Sequence, residues 1–170
     1  MHFNVIVFGE NPKERLLPFY DKFILTEETA LCVNGNAFYD SLDLLRKDYP
    51  DISDEQVSFD FPFREWDEWE IGGRYSGSLK VFDDQNGYIQ DESIRGYLDQ
   101  TIVGNLDLSE QGFIPDAYLL KGVWKNTPVR FWDKEEFTNP ILNAMEWQNW
   151  KDVLLSLPKD TQITLVDWHK

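Results

Sequence analysis

The chain of 170 residues has a single cysteine, Cys32, and two histidines, His2 and His169. A lone cysteine excludes an internal disulfide and any cysteine-cluster metal site. Flanked by Leu31 and Val33, it reads as a small buried apolar residue. Basic residues are also scarce: 16 against 31 acidic ones give a formal net charge of −15. That field repels phosphate backbones and anionic membranes, so direct nucleic-acid binding is not expected. No apolar run approaches the roughly 20 residues of a membrane helix. The amino-terminal stretch lacks the basic segment of a signal peptide, so a soluble intracellular protein is expected. Repeats, low-complexity segments and linkers are missing as well. The chain contains no G-K-[ST] phosphate loop, no G-x-S-x-G elbow and no H-x-[ST] pair.

Aromatic residues, by contrast, are abundant at 15%, with seven Trp and twelve Phe. They supply enough apolar area for one globular domain over residues 1–170. Phe3 to Phe8 is nearly all apolar and β-branched, which suits a buried strand. Thr26 to Val33 reads as a second strand, and a helix capped by Asn36 is predicted over about 37–48. Asn86-Gly87 is the strongest hairpin signal, and a helix is predicted over about 92–102. Residues 117–124 and 129–132 read as two strands of a further hairpin. Ile141, Met145, Trp147, Trp150, Val153 and Leu154 form the apolar stripe of a helix over 141–157, with Pro140 at its first turn. A last strand runs from Gln162 to Val166. The expected class is α+β: one mixed or antiparallel sheet, first and last strands central, helices mainly on one face.

Residue choice is most particular between Glu65 and Leu79. There Trp66, Trp69, Tyr75 and four carboxylates surround Gly72-Gly73-Arg74. Adjacent glycines reach positive φ freely and allow close backbone approach, while an arginine offers a planar fork for phosphate or carboxylate. With Trp66 and Trp69 as a stacking platform, the segment suits an anion- or nucleotide-sized ligand. The alternative is a bulged strand corner in which Arg74 pairs with Glu65, Asp67, Glu68 or Glu70. Glu68 and Glu70 share one strand face, and two carboxylates beside an arginine do not make a metal site. At the other end, Asp167 and His169 stand two apart, a spacing that lets a carboxylate orient an imidazole as a base. If the first and last strands pair antiparallel, His2 and His169 lie at the same end of the sheet. No cofactor is indicated.

Three landmarks in order resemble a family of uncharacterised phage and prophage proteins. One is Phe3-Asn4-Val5-Ile6-Val7-Phe8-Gly9 followed by Leu16-Leu17-Pro18-Phe19-Tyr20. Another is Trp66-Asp67-Glu68-Trp69-Glu70-Ile71-Gly72-Gly73-Arg74-Tyr75, similar to W-D-W-Y-x-I-G-G-R-W. The third is Thr164-Leu165-Val166-Asp167-Trp168-His169, similar to T-x-V-D-C-H. Glu68 replaces an aromatic residue, Tyr75 replaces Trp, and Trp168 stands where Cys is usual. The resemblance implies a phage-linked accessory protein in the host cytoplasm and points to Arg74, Asp167 and His169. The expected role is binding a host defence component: either a small nucleotide-like anion, or a basic protein surface met by the acidic face. A phosphodiester or nucleotide hydrolase using Asp167, His169 and Arg74 is one alternative, and a structural protein without ligand is another.

Overall fold

Two runs of β-branched and aromatic residues without proline, His2–Phe8 and Gln162–His169, form strands β1 and β11. They pair antiparallel along their full length, with His2 opposite His169 and Phe8 opposite Ile163. The computed structural model describes residues 2–20, 30–60, 62, 68–82, 97–131 and 134–169. Parallel to β1 on its other side runs β9 (Ala117–Leu120), joined to β10 (Val123–Asn126) by a tight turn at Lys121-Gly122. Both turn residues have positive φ, 48° and 72°, as a two-residue hairpin matching the strand twist requires. Beyond β10 the sheet continues through β3 (Ala37–Tyr39), β2 (Leu31–Val33) and β4 (Val57–Phe59). The far edge of β11 is shared by two segments, β5 (Glu68–Ile71) near its end and β8 (Gln100–Ile102) near its start. β6 (Leu79–Lys80) and β7 (Tyr97–Leu98) form a separate small pair. The class is α+β with one mixed sheet, and β1 and β11 are interior neighbours.

The period of two along β1 and β11 divides the core. On one face Ile6, Phe8, Ile163 and Leu165 pack against Trp150 and Leu154 of α4 (Pro140–Leu155), which follows the short α3 (Lys134–Thr138). Trp150 lies 5.9 Å from Phe8 and 5.5 Å from Tyr118 between ring centroids, contacts of about 0.5–1.5 kcal/mol each beyond area burial. On the other face Val5, Val7, Val166 and Trp168 meet Leu16 of α1 (Pro12–Leu16) and Phe19 of the 3-10 turn after it. A smaller cluster joins β2 and β3 to Leu44 and Leu45 of α2 (Leu42–Asp48). Asn139 caps α4 by accepting from the amides of Ile141 and Leu142, and Pro140 occupies the first turn.

Several expectations are corrected. Residues 37–48 are not one helix: Asn34 and Gly35 both take positive φ and turn β2 into β3, and the helix begins only after Ser41, whose hydroxyl accepts from Leu44 N. No helix covers 97–102, where strand pairing with β6 and β11 overrides the Ile94–Tyr97–Leu98 spacing. The strand expected over 117–124 turns at Lys121-Gly122, and Pro128–Phe131 is a 3-10 turn because the proline has no amide for a ladder. Ile141 and Met145 lie outside the core stripe of α4, exposed to solvent. The Asn86-Gly87 signal and residues 26–29 lie outside the described residues.

Candidate functional site

The Gly72-Gly73-Arg74 step follows β5, where Glu70 stands opposite Asp167 of β11. Gly72 N–H donates to Leu165 O at 2.9 Å, and a 3-10 turn over Gly73–Tyr75 reverses the chain. Both glycines have positive φ, 71° and 52°. Space decides as much as conformation here. A Cβ on Gly72 would stand 2.3 Å from Asp99 Oδ2, and one on Gly73 would stand 2.4 Å from Asp167 Cβ and 2.8 Å from Glu70 Oε1. The step is therefore glycine because the backbone lies flat on two carboxylates.

Both carboxylates are buried, Asp99 at 0% and Asp167 at 1% exposure. Asp99 accepts from Ser76 Oγ at 2.8 Å and from Gly77 N at 2.6 Å. Asp167 accepts from Arg74 N at 2.9 Å and bonds His2 Nδ1 at 2.9 Å. The turn is thus an anion cradle, and the anions it holds are the protein's own. Buried carboxylates need such donors, since an unpaired one costs several kcal/mol. Tyr75 lies beside this cluster and donates its hydroxyl to His2 O at 3.2 Å. Burial pushes the Tyr75 phenol up, and the Asp116 and Asp167 carboxylates push it further. Asn4 and Asp116 grip each other reciprocally: Asn4 N and Nδ2 donate to Asp116 Oδ2 at 2.9 and 2.8 Å, and Asp116 N donates to Asn4 Oδ1 at 2.9 Å. Burial raises the Asp116 carboxyl, against the lowering effect of the Asn4 backbone bond and of Arg130.

The Arg74 side chain behaves differently from its backbone. It is exposed, and among the described residues its guanidinium has no hydrogen-bond or ion-pair partner. The amide is thus held internally while the side chain faces solvent, and Glu65 and Asp67, two of the acids considered as its partners, lie outside the described residues. Tyr75 packs with the α4 face of the core, whereas Trp69 packs with Trp168 and Val166 on the opposite face. The structure thus places Trp69 and Tyr75 on opposite faces of the sheet. Trp66, Glu65 and Asp67 lie outside the described residues. Glu68 and Glu70 are exposed on β5.

Asp167 takes His2 as its imidazole partner, the histidine that antiparallel pairing brings to its end of the sheet. His169 occupies the register position between His2 and Glu68. Trp168 is buried between Phe3 and Trp124 at 5.0 and 5.6 Å, with the Arg130 guanidinium 5.1 Å from its ring. Burial pushes the Cys32 thiol up, away from the reactive thiolate. Among the described residues no group of three or more His, Cys, Asp or Glu is placed to hold a metal ion, and no helix is long and apolar enough to cross a membrane.

Two features had no sequence signal. Asp99 is one acid in an acidic chain until the fold places it under Gly72. At the carboxyl ends of the parallel strands β1 and β9 lies the second feature, a 460 Å³ cavity lined by Gly9, Arg15, Asp48, Lys121, Ser156 and Thr161 among others. Its Arg15 is 6% exposed and bonds Asp48 through both terminal nitrogens, at 2.5 and 3.0 Å, and Glu10 O at 2.7 Å. No family model, no curated protein and no solved structure matches this chain.

Proposed function

We propose that the chain is a phage- or prophage-linked accessory protein that binds a host component without chemistry, offering Arg74 to a nucleotide-like anion. One observation carries this reading: a guanidinium left exposed on a backbone fixed by a buried carboxylate. Fixing the backbone in advance lowers the ordering cost of binding, and the planar fork matches phosphate oxygens two at a time. Exposed Glu68 and Glu70 on the preceding strand select against extended polyanions while admitting a single phosphate group. Gly72 and Gly73 act by holding the turn, since their close approaches are to Asp99 and Asp167. Isothermal titration against mono-, di- and cyclic nucleotides tests the reading. Binding should weaken by about tenfold or more in Arg74→Ala, the worth of one charge-assisted contact. No binding by any nucleotide sinks it.

The hydrolase alternative gains support from the His2–Asp167 contact, with His2 in the place that sequence spacing gave to His169. In that reading His2→Gln abolishes turnover of a phosphodiester substrate. A wild-type chain without turnover, or a variant that keeps it, removes the alternative.

A further inference from the structure

α4 carries apolar residues on two opposite sides. At 100° per residue, Trp150 and Leu154 point to the core, while Ile141, Met145, Gln148, Asp152 and Leu155 fall within an arc of about 80° on the far side. Ile141, Met145 and Leu155 are 70%, 57% and 64% exposed. Scattered exposed apolar residues need no explanation, but half of the six large ones among the described residues share this stripe. Leu155 continues it into a 320 Å³ hollow walled by Phe82, Leu106, Leu108 and Leu157, and Phe82 is itself exposed. The surface is about 21 Å long from Ile141 to Leu155, which is the length of a helix contact.

We infer that this face docks a cationic amphipathic helix of a partner protein. Charge selects the occupant. One acid lies within the stripe: Asp152, exposed and accepting from Gln148 Nε2 at 2.7 Å, stands between Met145 and Leu155. Lys151 is turned aside, its ammonium donating to Leu108 O at 2.8 Å. A helix with apolar residues at its ends and a basic residue between them matches this order, as in other helix-on-groove complexes. A second copy of the chain does not match. It would set Asp152 and a net charge of −15 against themselves. The inference goes beyond the Arg74 reading and is independent of it.

Titrating the full chain with a Leu/Lys amphipathic helical peptide, its Leu/Glu counterpart and a Ser/Lys version tests the assignment. The Leu/Lys peptide should bind one to one and the other two should not. Ile141→Ser with Met145→Ser should weaken binding at least about tenfold at an unchanged melting temperature. Asp152→Asn should weaken it by about threefold, an effect lost at high salt. The inference is overturned if the Leu/Lys peptide fails to bind, if the Ser/Lys peptide binds as well, or if the double variant binds undiminished. It is equally overturned if sedimentation shows a wild-type dimer that the double variant dissolves.

Discussion

Arg15 and Arg74 mark two regions where the fold buries a carboxylate beside an arginine, and the two regions solve the problem differently. At one end of the sheet Asp48 is met by the Arg15 guanidinium and by the Tyr39 hydroxyl at 2.9 Å. Burial and the neighbouring Asp48 charge push the Tyr39 phenol up, so it stays a donor. At the other end Asp167 and Asp99 are met by backbone amides, a serine hydroxyl and an imidazole, and among the described residues the Arg74 guanidinium has no partner. An arginine bound to a buried acid belongs to the scaffold. One that lends only its amide leaves its charge at the surface.

Removing each arginine should separate these roles. Arg15→Ala takes a buried guanidinium from Asp48, itself only 13% exposed, and should cost about 3–5 kcal/mol in urea unfolding. A smaller loss would mean that water or Tyr39 replaces the guanidinium, and the contrast would narrow. Gly73→Ala attacks the other region through its backbone. The added methyl collides with Asp167 at a φ of 52°, so a loss of about 2–4 kcal/mol is expected. Asp116→Asn probes a third solution, a carboxylate held mainly by an amide. Its folded value is raised by burial, so the folded state holds the proton more tightly than the unfolded chain. The Asp116 contribution is therefore complete below the unfolded carboxyl range and is lost as pH rises through the folded value. Wild-type stability relative to Asp116→Asn should fall across that window, and a difference independent of pH would break the assignment. Arg74→Ala should change stability least, within about 0.5 kcal/mol, as for an exposed side chain with no partner among the described residues. A loss comparable to that of Arg15→Ala would erase the distinction between the two regions.

The sequence disclosed the parts of this molecule that depend on period and composition. β1, β11 and α4 follow from uninterrupted β-branched runs and from a capped, tryptophan-bearing helix. It disclosed less where short strands depend on distant partners. Ala37–Tyr39 is a strand because β2 and β10 flank it, although its residues also fit the start of a helix. Tyr97–Ile102 likewise takes its conformation from β6 and β11. At the candidate site, the glycine pair and the special status of Asp167 were legible, and their relation was not. Positive φ can be inferred from Gly-Gly, but the carboxylates under it sit 27 and 94 positions downstream of Gly72 and Gly73, respectively, at Asp99 and Asp167. His2 as partner of Asp167 required knowing the strand register. The two-sided apolar character of α4 was hidden for the opposite reason, because residues from both faces merged into one broad stripe.

Leu165 joins the two segments that share the far edge of β11: its amide donates to Asp99 O at 2.8 Å and its carbonyl accepts from Gly72 N at 2.9 Å. One residue thus acts as a seam between parts of the chain made far apart in time during synthesis. Contacts of such long sequence separation form late, after the loops between them have closed. The turn beneath Arg74 cannot mature until β11 has been made and paired. Formation of the Arg74 turn is then coupled to completion of the sheet, since a chain without a paired β11 also lacks the Asp167 carboxylate that holds the Arg74 amide.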